Sequence, residues 1–149
     1  MTVERVLPQL TAPKLSAAEV NLFLAEVFPQ IAIGQAYKVE ETRHLFARVR
    51  MCFGDHLLRP GGTISGPAMF SLADVAMYAA VLASIGPVAH AVTTNLTINF
   101  LRKPGQRDMI GEARILKLGK RLAVGEIALH SDGEAELAAH ATSTYSLPS

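Results

Sequence analysis

Asp74 is the only formally charged side chain between Pro60 and Leu101. A carboxylate in such an apolar stretch can act as a general base or as a nucleophile. It can also be a buried structural group that pairs across a subunit boundary. The residue alone leaves both interpretations open, and it makes Asp74 the candidate catalytic group of this sequence.

A glycine-rich stretch precedes Asp74 and runs into a predicted helix. Gly61, Gly62 and Gly66 are weak evidence by themselves, because any tight turn uses glycine. The helix that follows has free N–H groups at its start, and these favour negative charge. Gly66 and Asp74 are eight residues apart, roughly 12 Å along a helix at ~1.5 Å per residue, so they cannot act on one carbonyl group within one chain.

That helix is predicted to extend from Pro67 to the Gly86-Pro87 stop, with apolar residues on nearly every side. Its length and composition would suit a membrane span, but a carboxylate at the bilayer centre is costly and the flanks lack basic or aromatic anchors. We therefore interpret it as a buried core helix. Other structure must surround a helix of this kind.

The remaining elements are mostly extended. Ser16 and Glu19 have the spacing of a capping box and begin a short amphipathic helix that ends before Pro29. Ile31 to Phe53 is predicted to form a β-hairpin that turns at the charged residues Glu40 to Arg43. After Pro87, alternating or β-prone segments bounded by turn residues predict four more strands: Val92–Phe100, Met109–Leu118, Leu122–Leu129 and Leu137–Leu147.

The order of these elements predicts an α+β fold, one antiparallel sheet around one helix. Short connections between the last strands predict that consecutive strands pair. Open sheet edges invite pairing with a second subunit. We expect one domain over residues 1–149, with an N-terminal helical extension over 1–30 and a core over 31–149.

Composition narrows the functional classes. Half of the 149 residues are apolar, 18% are charged and the net charge is +1, so no bulk attraction to nucleic acid or membrane is predicted. Cys52 is the only cysteine, which excludes an internal disulfide and favours a reducing compartment. The segment Met1 to Leu10 lacks the apolar run of a secretory signal, and we expect a cytoplasmic protein. The five histidines lack metal-ligand spacing, and no metal or cofactor is expected.

Three separated motifs lie within about 100 residues of the chain: GTISG with SLAD (Gly62–Gly66 and Ser71–Asp74), AVTTNLTINFLRKP (Ala91–Pro104) and LGKRLAV (Leu118–Val124). Together they resemble the hotdog-fold acyl-CoA thioesterases of the phenylacetate-pathway (PaaI-like) group. The resemblance implies a sheet wrapped around a long central helix. It also implies a homodimer, commonly paired into a dimer of dimers, whose substrate is an acyl-CoA ester.

The resemblance also assigns roles to residues. Asp74 would be the general base or nucleophile, and the Gly66 N–H of the other subunit would polarise the thioester carbonyl. Both groups meet what thioester hydrolysis requires, a base or nucleophile and a donor for the carbonyl oxygen.

Further candidate site residues match positions near the family's site or differ from its pattern. Ser65-Gly66-Pro67 stands where the group usually has His-Gly-Gly, and Arg59 stands where many relatives have Asn or Gln. Tyr78 lies one turn beyond the acid, and Thr93 matches another polar position. Seven of the fourteen basic residues fall between Arg102 and Arg121, either as a solvated face or as a landing site for the coenzyme A phosphates; the candidates for such a site are Arg102, Lys103, Lys120 and Arg121.

Two other functions stay open from the sequence. Ser65 and Pro67 are compatible with a hotdog module that binds acyl-CoA or lipid without hydrolysis. A hotdog hydratase would need a histidine beside Asp74, and only His56 or His90 could supply it.

Overall fold

The computed structural model describes residues 12–148. The prediction for Met1 to Leu10 lies outside them. Two α-helices and six β-strands form the described chain: α1 (Ala17–Val27), β1 (Tyr37–Arg43), β2 (Phe46–Met51), α2 (Gly66–Ile85), β3 (Val92–Phe100), β4 (Met109–Leu118), β5 (Leu122–Ser131) and β6 (Ala139–Ser146). The α+β prediction is confirmed.

The six strands form one antiparallel sheet in the order β1-β2-β4-β5-β6-β3. The inner face of this sheet packs on α2, so that the core lies between helix and strands. Gly125 allows this close approach, because a Cβ there would lie 2.8 Å from the sulfur of Met77.

Ser65 is the N-cap of the central helix α2, and its Oγ accepts a hydrogen bond from the N–H of Ala68 at 3.2 Å. The helix therefore starts at Gly66, one residue before the predicted Pro67, and it ends at Ile85, with Gly86 as its C-cap. By length and composition α2 could cross a membrane, but 78% of its most apolar window is buried inside the protein. This burial agrees with the interpretation as a core helix.

The helix α1 covers one edge of the sheet. The predicted capping box is confirmed, with the Ser16 side chain accepting from the Glu19 N–H at 3.1 Å. The Asn21 side chain then makes two hydrogen bonds of 2.9 Å with the backbone of Val39 in β1. Backbone groups of β1 are thus paired by a side chain, which protects that edge.

The predicted turn at Glu40 to Arg43 is wrong. Strand β1 continues through Arg43, and the turn falls at His44–Leu45, where Leu45 has a φ of 67°. The charged residues belong to the strand because they pair on its outer face. Glu40 contacts Arg48 at 3.2 Å and Arg50 at 2.6 Å in β2.

The predicted pairing of consecutive strands fails at β3. This strand pairs with β6, the last strand, and forms the edge of the sheet opposite β1. The connection from β3 to β4 through Lys103-Pro104-Gly105 crosses the sheet instead of making a hairpin. Proline supplies no N–H for a ladder there, and turn residues alone do not specify the partner strand.

Candidate active site

Asp74 lies in the middle of α2, half-buried beneath β3 and β6. Its Oδ1 accepts a hydrogen bond from the Thr93 hydroxyl at 2.5 Å and another from the Tyr145 hydroxyl at 3.1 Å. The two donors face each other across the β3–β6 ladder. Two strands therefore hold one oxygen of the carboxylate.

A β-bulge aims Thr93 at the acid. The ladder between β3 and β6 shifts register between Thr93 and Asn95, so Thr94 is the extra residue. In a strictly alternating strand, Thr93 would lie on the face opposite Leu96 and Ile98. The bulge instead puts these three side chains on the inner face, while Val92 is exposed.

Tyr145 is the site residue that sequence reasoning missed. It is 3% exposed, and its ring stacks on that of Tyr78 with centroids 5.9 Å apart. Burial raises the pKa of Tyr145, and the neighbouring Asp74 carboxylate raises it further, so the phenol stays protonated and donates. The available signal was the inner face of the last strand, where Tyr145 is the one large polar group after Ala139, Ala141 and Ser143.

The carboxylate opens into a cleft of about 290 Å³ with mainly apolar walls. Val27 and Phe28, from the end of α1, form one wall of this cleft. Tyr78 forms another, and its hydroxyl donates to the Ala89 carbonyl at 3.0 Å. Burial raises the pKa of Tyr78 above its ordinary value.

Gly66 lies in a second cleft, of about 650 Å³, at the start of α2. Its N–H donates to no group among residues 12–148. Phe100 closes one side, since a Cβ on Gly66 would lie 3.2 Å from its ring. Three cationic side chains line the same cleft, those of Arg59, Arg102 and Lys103.

Within one chain the structure keeps Gly66 apart from Asp74. They line different clefts, as their separation along the helix requires. Thr93 and Tyr78 lie with Asp74, while Arg59, Arg102 and Lys103 lie with Gly66. Ser65 supports the second cleft indirectly, because its side chain caps the helix that presents Gly66.

Lys120 and Arg121 are not near the other predicted cationic residues within one chain. They form the β4–β5 turn at the end of the sheet that also holds Tyr145. Arg102 and Lys103 follow the opposite end of β3. The two ends of the sheet are seven residues apart along β6, from Ala139 to Ser146, which is roughly 23 Å at ~3.3 Å per residue. Arg102 also forms an ion pair with Glu136.

The histidines stand apart from the acid. No histidine lines the cleft around Asp74, and His140 instead contacts Glu126 on the outer face of the sheet at 2.9 Å. The hydratase alternative thus lacks its required neighbour in this part of the chain. Within residues 12–148, no cluster of three His, Cys, Asp or Glu could hold a metal ion.

Comparison with known proteins places this geometry in a family. Residues 61–138 match the family model described as "Thioesterase superfamily". The chain is 35% identical over 135 residues to a candidate esterase of Saccharolobus solfataricus, covering 89% of this chain and 86% of that protein.

Solved structures agree with the family match. A candidate thioesterase from Silicibacter sp. TM1040 is 44% identical and superposes with a TM-score of 0.82, covering 92% of this chain and 94% of that one. The phenylacetic acid degradation protein PaaI from Thermus thermophilus is 25% identical with a TM-score of 0.70, covering 80% of this chain and 99% of that one. The sheet wrapped around α2 is the hotdog fold, and the chain belongs to the thioesterase superfamily.

Proposed function

We propose that this protein hydrolyses acyl-CoA thioesters, with Asp74 as the catalytic carboxylate. The observation that carries the proposal is the setting of Asp74, in which two hydroxyl groups anchor one carboxylate oxygen at the base of a largely apolar cleft. Membership of a family of thioesterases supports the same chemistry.

The reaction needs a nucleophile at the carbonyl carbon and a donor at the carbonyl oxygen. Asp74 takes a proton from water as the water attacks, and the tetrahedral oxyanion is stabilised by the free N–H of Gly66 at the positive end of the α2 dipole. Collapse of the intermediate breaks the carbon–sulfur bond. The CoA thiolate then recovers the proton from Asp74.

This mechanism requires two chains, because Asp74 and Gly66 of one chain open into different clefts. The edge strand β3 is the natural contact, since its outermost apolar side chains Val92 and Phe100 are 55% and 52% exposed. Antiparallel pairing of β3 with its twofold-related copy would bring the Asp74 cleft of one subunit toward the Gly66 cleft of its partner. A dimer of dimers remains part of the proposal.

The coenzyme A phosphates would bind at the cationic residues beside Gly66. Arg59 and Lys103 are exposed there, and Arg102 shares its charge with Glu136. Lys120 and Arg121 lie at the end of the sheet that holds the Asp74 cleft. In a two-chain site they would therefore come from the subunit that supplies Asp74.

The test is a hydrolysis screen over short, medium and long straight-chain and aryl acyl-CoA esters, monitored by release of the free thiol. Asp74→Asn serves as the blank, because the amide keeps the shape of the side chain but cannot accept the proton. We expect turnover of at least one ester by the wild type and loss of that turnover in the variant. If the wild type bound an ester saturably but did not turn it over, the result would exclude hydrolysis and favour the non-hydrolytic binding function.

A further inference from the structure

We infer that Tyr145 is a positioning residue for Asp74, which, together with Thr93, anchors Oδ1 and leaves Oδ2 to take the proton from water. This inference rests on the proposed hydrolysis and adds to it a residue and a division of labour between the two carboxylate oxygens.

The hydroxyl of Tyr145 is fixed by the fold. Strand β6 lies inside the sheet between β5 and β3, and Tyr145 pairs with Thr93 on one side and Ala123 on the other. The phenol lies 3.1 Å from Oδ1 of Asp74 and 3.3 Å from its backbone oxygen. Side chain and backbone of the acid are thus held by one group.

The two oxygens of Asp74 have different surroundings. Oδ1 accepts from both hydroxyl groups, whereas no group among residues 12–148 donates to Oδ2. A carboxylate oxygen that already accepts two hydrogen bonds is the poorer base of the pair. The proton from water therefore goes to Oδ2.

The groups that face Asp74 determine what a pH profile would report. Tyr78 of α2 and Tyr145 of β6 are neutral well above physiological pH, because burial raises the pKa of both phenols. Thr93 of β3 does not ionise, and the end of α1 contributes apolar Val27 and Phe28. An acid limb in the rate profile would therefore belong to the carboxyl group.

The test is Tyr145→Phe, which removes the hydroxyl group but keeps the ring that stacks on Tyr78. Losing a hydrogen bond to a charged acceptor should lower kcat about tenfold, with KM within about twofold of wild type. It should also move the acid limb of the kcat profile to higher pH, because the ionised carboxylate has lost a donor. A variant that merely loosened the fold would lose activity without moving that limb.

Tyr37→Phe is the matched control. Tyr37 is also buried, and its hydroxyl lies 2.7 Å from that of Ser71, one turn before Asp74 on the same helix. We expect its kcat and pH profile to match the wild type. Unchanged kinetics in Tyr145→Phe, or a loss of rate with an unmoved acid limb, would overturn the inference.

The proposed function and the inference about Tyr145 are overturned by different results. If Asp74→Asn hydrolysed as fast as the wild type, the catalytic role of Asp74 in the proposed function would be excluded. If only Asp74→Asn lost activity, the inference about Tyr145 alone would be wrong.

A carboxyl carbon NMR titration, with the Asp74 signal assigned by its absence in Asp74→Asn, tests the hydrogen bond without turnover. Its midpoint should move to higher pH in Tyr145→Phe, and an unmoved midpoint would again overturn the inference.

Discussion

The Thr93 hydroxyl lies 2.5 Å from Oδ1 of Asp74 and joins an edge strand to the middle of the central helix. A bulge in β3 makes this contact, because the register shift at Thr94 turns Thr93 toward the helix while Leu96 and Ile98 also pack against the core. If β3 forms the subunit contact, the Asp74 carboxylate is anchored by the same strand that assembles the dimer.

Replacing Thr93 by Val removes this hydroxyl and keeps the shape of the side chain. We expect kcat to fall roughly 10- to 150-fold, because the carboxylate loses a charge-assisted hydrogen bond worth about 1.5–3 kcal/mol. Thr93→Ser keeps the donor and should retain most of the activity. Steady-state kinetics compare the two variants. Equal activity of Thr93→Val and Thr93→Ser would show that the Thr93 hydroxyl does not contribute to the reaction.

Mixing two inactive variants tests whether the site is shared between chains. Gly66→Pro removes the free N–H at a helical position where proline is tolerated, and Asp74→Asn removes the base. Each homodimer should be inactive. If Asp74 and Gly66 come from different chains, a randomly reassorted equimolar mixture should recover about a quarter of the wild-type rate, since half of the dimers carry one intact site of two.

The control for this experiment is the mixture without subunit exchange, which should stay inactive. Circular dichroism must show that Gly66→Pro is folded. No recovery after verified exchange would contradict a site shared between two chains.

The cationic residues beside Gly66 should bind the nucleotide end of coenzyme A. Arg59→Ala and Lys103→Ala are expected to raise KM for acyl-CoA several-fold with little change in kcat. The same variants should treat the corresponding acyl-N-acetylcysteamine ester, which lacks phosphates, as the wild type does. Lys38→Ala, an exposed lysine on the opposite edge strand, is the matched control. An equal rise in KM for both esters would exclude phosphate recognition.

Much of this site could be predicted from the sequence because its signals are local. The capping box at Ser16, the stop at Gly86 and the isolated charge of Asp74 need only neighbouring residues, and the structure places all of them as predicted. The family motifs also identified Thr93, which the structure places against the acid.

The features that could not be predicted from the sequence depend on long-range strand pairing or on an irregularity in a strand. The pairing of β3 with β6 joins distant parts of the chain, and the single extra residue Thr94 turns the Thr93 side chain to the inner face of the sheet. Tyr145 carried no motif, and its position beside Asp74 follows only from that pairing. Glu40 was mistaken for a turn residue because its arginine partners lie on the next strand.

A network around Arg50 should make stability depend on pH. Its guanidinium contacts Glu40 at 2.6 Å, Asp132 at 2.8 Å and Asp108 at 3.1 Å. The hydrogen bond from Arg50 lowers the pKa of Asp132 below its ordinary value of 3.8. Partial burial raises the pKa of Glu40, but hydrogen bonds from Arg50 and Arg48 outweigh it, and the net pKa lies below 4.5.

Carboxylates with lowered pKa values stabilise the folded state above their unfolded pKa values and lose this effect as the pH falls through the folded ones. Arg50→Gln should therefore reduce the free energy of unfolding at neutral pH, and the difference from wild type should shrink below about pH 4. Urea denaturation at several pH values measures it, with Lys38→Gln as the control. A difference that is constant over this range would contradict the ion-pair account.

The proposed catalytic role of Asp74 can be measured as kcat of Asp74→Asn on the preferred acyl-CoA ester. The variant should still form the wild-type oligomer and bind the ester, while kcat falls by about a hundredfold or more, the usual contribution of a general base. Asp55→Asn, an exposed acid in the short helical turn Asp55–Leu57, should keep wild-type activity. Hydrolysis by Asp74→Asn at the wild-type rate would exclude Asp74 as the catalytic group.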